Sequence, residues 1–375
     1  MTESAPLRIA HFIDTQNKGG AEVTLMDLCL FQKEAGHEVM VFHHNNPYLA
    51  EECKRHDIAQ YDIPAHRLYK STYTLPLYAI TLAKKLKKLK IDILHSHLFG
   101  PITGNALAAR LAGRRHIGTL HDIYMIEEKP ARARLLQLAS ILRTKLVCVS
   151  RNMTEFYDRH LQFSSTEIHT IYNAARKPEP PSAETSLALK TKYHIAEQDM
   201  IISAVGRLVP LKRVDKIIKA LQEINLPHVK LVIIGDGPES KSLRTLTTAL
   251  KLEEQVIFTG EITNVSDLLY LSHVFTQFSS TEGLSISIIE ALACKLPCVV
   301  SDVGGNSELV ADGQTGYVVA SDRDDLLATR LHELLDNEAL RNKFGNEAHL
   351  RFKEYFIFEQ FQDSYLKLYT ANKPN

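Results

Sequence analysis

The sequence predicts an α/β protein made of two doubly wound domains in tandem, and three observations support this. Short strands that are apolar throughout alternate with longer amphipathic segments, which is typical of a parallel sheet covered by helices on both faces. The alternation stops at 173–182, where prolines and small or polar residues are concentrated as in an interdomain linker. It then starts again, and 375 residues are enough for two separate cores.

The elements follow one another in a regular order. In the first half, apolar segments predict strands at 7–13, 37–42, 58–63, 91–94, 117–120 and 146–149, with helices from about Ala21 and near Tyr48. In the second half, strands are predicted at 200–205, 230–234, 256–258, 274–278 and 298–300. These are two Rossmann-like domains. Residues 344–369 predict one or two helices with a buried aromatic stripe, interpreted as core: Phe352, Tyr355, Phe356, Phe358, Phe361, Tyr365 and Leu368.

Composition excludes several classes of protein. The 44 basic and 44 acidic residues balance, so the chain has no overall attraction to nucleic acid. Five cysteines are scattered without a CxxC pair, which predicts reduced core thiols. The start lacks the basic and apolar regions of a signal peptide, and no apolar run reaches the ~18 residues of a spanning helix. A cytoplasmic location is therefore expected.

Residues 80–92 predict a basic amphipathic helix. Leu82, Leu86 and Leu89 share one face, and lysines surround it. The more common outcome for such a helix is ordinary packing with a solvated lysine face. The alternative is peripheral contact with an anionic membrane, at the inner face of the plasma membrane.

Histidines are concentrated in the first half of the chain. Twelve of the 17 lie before residue 173, yet they lack metal-ligand spacing. His95 and His97, at the end of a predicted strand, either reach a crevice or pack within a loop, and the sequence favours neither.

The most informative stretch is 282–290. Residues 274–278 predict a buried strand, 279–282 a turn and 284–295 a helix, so Glu282 and Glu290 lie about two helical turns apart. If the helix begins near Gly283, its free N–H groups and positive dipole end favour an anion. One acid can then bond the hydroxyls of a sugar beyond the phosphates and the other a ribose. This geometry suits a nucleotide-sugar, although a solvated helix face explains the spacing equally well.

Three glycine-containing junctions follow predicted strands, at the sheet edge where doubly wound folds bind ligands. Gly19 and Gly20 allow a phosphate to approach the backbone. Arg207 and Lys212 supply two cations that can neutralise a diphosphate without a metal ion. The turn at 235–239 can pack beneath a nucleotide, although taken alone it is more often simple turn chemistry. Their joint occurrence indicates a binding site.

These residues together resemble the retaining glycosyltransferases of the family-four type, which have the two-domain GT-B architecture. The likeness covers nearly the whole chain. It rests on the following motifs: Gly19-Gly20-Ala21, His121 after the 117–120 strand, Gly206-Arg207 with Lys212, Gly235-Asp236-Gly237-Pro238, the Glu282-x7-Glu290 element, and Gly304-Gly305-Asn306-Ser307-Glu308 followed by Asp312-Gly313 and Gly316.

The resemblance implies a role for each residue. Glu282 and His121 are expected to be the catalytic residues, with His121 facing the transferred sugar. Donor binding is expected from Gly19, Gly20, Arg207, Lys212, Gly235, Ile262, Gly283, Leu284, Ser285 and Glu290. Within this set, Arg207 and Lys212 would hold the diphosphate and Glu290 the ribose. Residues 1–173 with 358–375 would form the acceptor-side domain, and 174–357 the donor domain across a cleft.

The expected reaction is transfer of a hexose or N-acetylhexosamine, with retention, from a nucleoside-diphosphate sugar to a hydroxyl of a glycan or lipid-linked acceptor. UDP is favoured only by the habits of the family. No cofactor and no metal is expected, because the sequence lacks an obvious Asp-x-Asp element between a strand and a loop. The acidic run 322–325 is interpreted as a capping and surface cluster of a late helix. The alternatives are a sugar-nucleotide epimerase of the same fold, whose acid/base carboxylates the sequence does not reveal, and a non-catalytic nucleotide-sugar-binding module.

Three positions depart from the family pattern. Ala174, Arg213 and Lys295 stand where glycine is common. Arg213 and Lys295 are expected to add positive charge near the donor domain, and Ala174 to stiffen the linker.

Overall fold

A computed structural model describes residues 6–63, 68–71, 73–161 and 168–371 of the chain. It divides the chain into two compact units. The first contains residues 1–172 together with 361–375, and the second contains residues 173–360.

The first unit is built on a parallel sheet of seven strands in the order β3-β2-β1-β4-β5-β6-β7. The strands are β1 (Arg8–Phe12), β2 (Glu38–His43), β3 (Ala59–Asp62), β4 (Ile93–His97), β5 (Arg115–Leu120), β6 (Thr144–Cys148) and β7 (Ile168–Thr170). The connecting helices are α1 (Gly20–Glu34), α2 (Pro47–Arg55), α3 (Leu75–Lys88), α4 (Phe99–Ala112), α5 (Tyr124–Glu128), α6 (Ala133–Ile141) and α7 (Arg151–Leu161).

The second unit repeats this architecture with six parallel strands in the order β10-β9-β8-β11-β12-β13. They are β8 (Met200–Val205), β9 (Val229–Ile234), β10 (Val256–Gly260), β11 (Val274–Gln277), β12 (Cys298–Ser301) and β13 (Gly316–Val319). The helices are α8 (Ala183–Lys192), α9 (Val214–Ile224), α10 (Ser240–Ala249), α11 (Val265–Leu271), α12 (Ile286–Ala293), α13 (Asn306–Leu309), α14 (Asp324–Asp336) and α15 (Glu338–Tyr355). A last helix, α16 (Phe358–Thr370), runs from this unit into the first.

Both cores lie where apolar strands meet apolar helix faces. In the second unit, Ile217, Ile218 and Leu221 recur at helical spacing on α9 and pack in one cluster with Leu231 and Val299 of the sheet. Most strand residues are apolar because helices cover both faces of a parallel sheet, although β4 also carries the buried His95, Ser96 and His97. This confirms the predicted fold class of two doubly wound parallel-sheet domains.

Two strands were missing from the prediction, and one core residue was wrong. β7 has only three residues, of which only Ile168 is apolar, too few to establish a pattern. β13 has four residues and opens with Gly316, a residue that is more typical of turns than of strands. Tyr355, predicted to be buried, is 43% exposed, because α15 ends there and the chain turns Phe356 inward instead. The other members of the aromatic stripe are buried, and all five cysteines are free and buried as predicted. Among the described residues, no helix is both long and apolar enough to cross a membrane.

Candidate functional site

The sheet of the second unit has a switch point between β8 and β11. From β8 the chain continues through β9 and β10 toward one edge of the sheet, and from β11 it continues through β12 and β13 toward the opposite edge. In doubly wound sheets, ligands bind outside the carboxyl ends of the strands at such a point. The segment after β8 carries Arg207 and Lys212, and the segment after β11 carries Glu282 to Ser285. The topology thus brings together two predicted motifs that are far apart in the sequence.

A hydrogen-bonded network joins these two segments. Lys212 Nζ donates to Glu282 Oε1 at 2.6 Å, and Gln277 Nε2 donates to the same oxygen at 2.9 Å. Ser285 Oγ in turn donates to Gln277 Oε1 at 2.8 Å. Glu282 Oε2 has no hydrogen-bond partner among the described residues. The network therefore fixes the carboxylate and leaves one oxygen able to accept a hydrogen bond from a ligand.

Gln277 was not predicted as a site residue. It is the last residue of β11 and only 3% exposed. Its amide is the link between Glu282 and Ser285, because it donates to one and accepts from the other. The signal in the sequence was a polar residue at the end of an apolar strand, directly before the turn.

Asn173 was missed for a different reason. It opens the stretch interpreted as a linker, yet it is 4% exposed and its Nδ2 donates to the carbonyl of Leu284 at 3.0 Å. A residue at the edge of the linker therefore holds the loop after Glu282.

The glycine turn after β9 supports the loop that carries Arg207. A Cβ at Gly235, where φ is +130°, would lie 2.2 Å from the carbonyl oxygen of Gly206. A Cβ at Gly237 would lie 2.4 Å from the carbonyl oxygen of Leu208. Only glycine permits this close approach. The guanidinium of Arg207 is exposed and has no hydrogen bond to any described residue.

Ile262 follows β10 and lies near the same turn. Gly235 N donates to the carbonyl of Gly260 at 3.0 Å, which joins the ends of β9 and β10. The side chain of Ile262 packs, partly buried, against a cluster that includes Val232 and Leu268.

Helix α12 begins later than predicted. It starts at Ile286 rather than Leu284, because Ser285 adopts an extended conformation and caps the helix, with Oγ accepting from Ile288 N at 3.5 Å. The amides of Gly283 and Leu284 therefore belong to a loop and not to the helix. Glu290 lies in the second turn of α12 and is half-buried.

The glycine pair after β12 fixes the position of the Glu282 backbone. Gly304 has φ +54°, and a Cβ there would lie 1.9 Å from the carbonyl oxygen of Glu282. Gly305 N donates to the carbonyl of Gly283 at 2.9 Å. The Gly304-Gly305 pair therefore supports the site by packing against the backbone of Glu282 and by bonding to that of Gly283.

The remaining predicted site residues lie in the first unit. Gly19 precedes α1 as its N-cap, and Gly20 is the first residue of that helix. His121 directly follows β5, and its Nε2 lies 3.3 Å from His97 Nδ1. Burial lowers the pKa of His121 to about 4, so the ring is uncharged at neutral pH.

Comparison with known sequences shows which family has this set of motifs. The family described as Glycosyltransferase Family 4 matches residues 18–175, and Glycosyl transferases group 1 matches residues 187–351. The chain belongs to the GT-B glycosyltransferases of the family-four type.

Individual relatives agree with this assignment. The N-acetyl-alpha-D-glucosaminyl L-malate synthase of Bacillus anthracis is 27% identical over 361 residues, which cover 94% of this chain and 93% of the relative. The UDP-Gal:alpha-D-GlcNAc-diphosphoundecaprenol alpha-1,3-galactosyltransferase of Escherichia coli is 29% identical over 286 residues, or 71% and 74% of the two chains. The crystal structure of Anabaena Alr3699/HepE in complex with UDP and glucose has a TM-score of 0.86 at 19% identity, covering 98% of this chain and 100% of that one.

Two departures of this glycosyltransferase from the family pattern have a backbone explanation. Arg213 and Lys295 have φ of +45° and +62°, a region that glycine adopts without strain. Arg213 Nε donates to the carbonyl of Phe278 at 3.1 Å, and its Nη2 donates to the carbonyl of Ser321 at 2.8 Å. Arg213 therefore has a structural role, because its guanidinium donates to backbone carbonyls, and the expected effect of its positive charge on the donor domain stays a prediction. Ala174 is buried.

A histidine cluster in the first unit was not predicted, because its members come from two strands. Nitrogen atoms of His11, His95 and His97 lie within 4.8 Å of one another, and all three residues are buried. Such a group has ligand types that suit a transition metal. Each of the six ring nitrogens, however, already has a hydrogen-bond partner among the described residues. A metal ion would have to displace several of these bonds.

Proposed function

We propose that this glycosyltransferase moves a hexose or N-acetylhexosamine from a UDP-sugar to a hydroxyl of a glycan or lipid-linked acceptor, with retention and without a metal ion. The observation that carries the proposal is the network of Lys212, Glu282, Gln277 and Ser285 beside the exposed Arg207, at the switch point of the second sheet. The E. coli relative, whose name specifies UDP-Gal and a diphosphoundecaprenol-linked acceptor, supports the donor and acceptor classes.

The chemistry follows from the charges at this switch point. Negative charge builds up on the leaving diphosphate as the sugar passes through an oxocarbenium-like transition state. Lys212 donates one N–H to Glu282 and has two more for phosphate oxygens, while the guanidinium of Arg207 supplies a planar fork. Each such group is commonly worth about 3 kcal/mol of transition-state stabilisation. Glu282 Oε2 is the acceptor for a sugar hydroxyl.

Metal independence is proposed because cationic side chains take the place of a divalent ion. Oε1 of Glu282 is occupied by the ammonium of Lys212 and the amide of Gln277, which leaves a single oxygen of this carboxylate. A hard cation such as Mg²⁺ prefers several oxygen ligands in octahedral geometry. The proposal therefore predicts unchanged turnover in EDTA.

The decisive experiment combines donor, acceptor and chelator. The protein is incubated with a panel of UDP-sugars, with and without a lipid-linked glycan acceptor, in the presence of EDTA, and the anomeric configuration of the product is read by NMR. UDP release that requires the acceptor and gives the α-product from an α-donor supports the proposal. An inverted product, or activity abolished by EDTA, contradicts it. Sugar interconversion without acceptor would indicate the epimerase, and binding without turnover the binding module.

We also propose peripheral contact with anionic membrane through α3. Its apolar face is used within the first unit, where Leu82 and Leu86 are buried. The exposed surface carries lysines together with Leu77 and Ile80, which are 63% and 47% exposed. Apolar residues beside a lysine cluster are the combination that binds an anionic interface.

Liposome sedimentation tests this contact. The triple substitution of Lys84, Lys87 and Lys88 by Gln should abolish binding to anionic vesicles, and salt should weaken binding of the wild type. The matched control replaces three exposed lysines of the second unit, Lys219, Lys241 and Lys251. Equal sedimentation of the wild type with neutral and anionic vesicles would contradict the proposal.

A further inference from the structure

A continuous chain of hydrogen bonds runs from His121 into the core of the first unit. His121 Nε2 lies 3.3 Å from His97 Nδ1, and His97 Nε2 lies 3.1 Å from His11 Nδ1. His11 Nε2 lies 2.8 Å from Gln32 Oε1, and Gln32 Nε2 donates to the hydroxyl of Tyr369 at 3.0 Å. His11, His97, Gln32 and Tyr369 are each at most 2% exposed.

The three histidines of this chain are uncharged at neutral pH. Burial lowers the pKa of His11 and of His121 to about 4, and it lowers the pKa of His97 well below its ordinary value. A neutral imidazole has one N–H donor and one lone pair. Each ring must therefore donate on one side and accept on the other, so the direction of one bond fixes the direction of the next.

The amide of Gln32 sets that direction. Its Nε2 donates to Tyr369, so its Oε1 must accept, and His11 must carry its proton on Nε2. Nδ1 of His11 then accepts from His97 Nε2–H, and His97 Nδ1 accepts from His121 Nε2–H. Turning the Gln32 amide over would reverse every bond, so the tautomer of His121 depends on an amide three hydrogen bonds away.

The far end of the chain is consistent with the same direction. The hydroxyl of Tyr369 accepts from Gln32 and can donate to His95 Nδ1, 2.7 Å away. His95 Nε2–H then donates to Thr119 Oγ1 at 2.7 Å. At the near end, Nδ1 of His121 has no hydrogen bond to any described residue.

We propose that Gln32, His11 and His97 are positioning residues that hold His121 as its Nε2–H tautomer, so that Nδ1 accepts a hydrogen bond from a hydroxyl of the transferred sugar. The sugar contact rests on the proposed function, whereas the tautomer does not. Within this hydrogen-bonded series, only His121 contacts the sugar. The three buried residues act through the position of a single proton.

The tautomer is measured by ¹⁵N NMR of the full chain labelled at histidine. A protonated ring nitrogen and one with a lone pair have well-separated ¹⁵N shifts, and the His121 signals are assigned by their loss in His121→Ala. We expect a protonated Nε2 and an unprotonated Nδ1 in the wild type at pH 7.5. A proton on Nδ1 would overturn the proposal.

Two substitutions test whether the network sets the tautomer. His97→Phe removes the link next to His121, and Gln32→Met removes the group that sets the direction. Both should produce a mixture of tautomers at His121. The matched control is His116→Phe, because His116 is a buried histidine of the same sheet that is bonded to Ser96 and Thr144 and lies outside the chain. An unchanged His121 spectrum in folded Gln32→Met and His97→Phe would overturn the proposal.

Activity tests the sugar contact separately. An equal mixture of tautomers halves the fraction of competent enzyme, so kcat/KM should fall by at least about twofold in Gln32→Met and remain unchanged in His116→Phe. Donor analogues in which one hydroxyl is replaced by fluorine cannot donate to Nδ1, and one of them should show no difference between Gln32→Met and the wild type. If the wild type uses no UDP-sugar at all, the proposed function fails while the NMR result stands. If the tautomer shifts but kcat/KM does not, the sugar contact is refuted.

Discussion

Replacement of Lys212 by methionine tests the electrostatic core of the donor site. The stem of Lys212 passes over Gly206, where a Cβ would lie 3.6 Å from Lys212 Cε, so methionine keeps most of this packing and removes only the charge. The lost ammonium stabilises the leaving diphosphate by about 3 kcal/mol, which corresponds to a fall in kcat/KM of about 100-fold. The side chains of Lys212 and Glu282 are 25% and 12% exposed, so their ion pair is partly exposed. Its loss should lower the free energy of unfolding by at most about 1 kcal/mol.

The assay is UDP release in the presence of acceptor, combined with thermal unfolding of each variant. Lys216→Met is the matched control, because Lys216 also pairs with a carboxylate, that of Asp324, and its side chain is 32% exposed against 25% for Lys212. Its kcat/KM should stay within about twofold of the wild type. A Lys212→Met variant that is folded and keeps more than a third of the wild-type kcat/KM would refute the assignment of Lys212 to the diphosphate.

Three further predictions follow. Glu290→Gln should raise the donor KM about tenfold with little change in kcat, because a ribose contact is made equally in the ground and transition states; initial-rate kinetics check this, and an unchanged KM contradicts it. Gly304→Ala should lower the unfolding temperature more than Gly313→Ala. Both glycines have positive φ, but only a Cβ at position 304 would lie 1.9 Å from the carbonyl oxygen of Glu282. Equal decreases in unfolding temperature would exclude this contact as the cause. Burial lowers the pKa of His116 from 6.5 to about 3, so the unfolded chain binds this proton first and the associated stability, full above pH 6.5, is lost as pH falls toward 3. The stability of His116→Phe should therefore depend less on pH between 6.5 and 4.5 than that of the wild type, and equal slopes would contradict the shift.

The regular part of the fold was readable from the sequence because each strand is a short apolar run between amphipathic helices. The prediction was less accurate at ends and short elements. The apolar spacing places Ser285 inside the helix, yet its side chain caps the helix, which therefore begins at Ile286. A cap of this kind depends on the local backbone conformation, which apolar spacing does not report.

The charged residues of the site were predicted from their types and their positions after strands. The supporting residues Gln277 and Asn173 were not, because their value comes from partners distant in sequence or in an adjacent loop. Arg213 was expected only to add positive charge near the donor domain. Its positive φ and its bonds to the carbonyls of Phe278 and Ser321 give it a structural role that its residue type did not predict.

By itself, the sequence determined that this chain forms two doubly wound sheets and that cations, carboxylates and glycines follow their strands, since these features depend on local apolar periodicity and residue type. Only the tertiary structure decided which atoms of these residues remain available. Lys212 and Glu282 neutralise each other across the switch point, and His11 and His97 from neighbouring strands fix the proton on His121. The physical reason is that hydrogen-bond direction and charge pairing depend on side-chain distances of about 3 Å, which packing of the sheets establishes and no sequence spacing encodes.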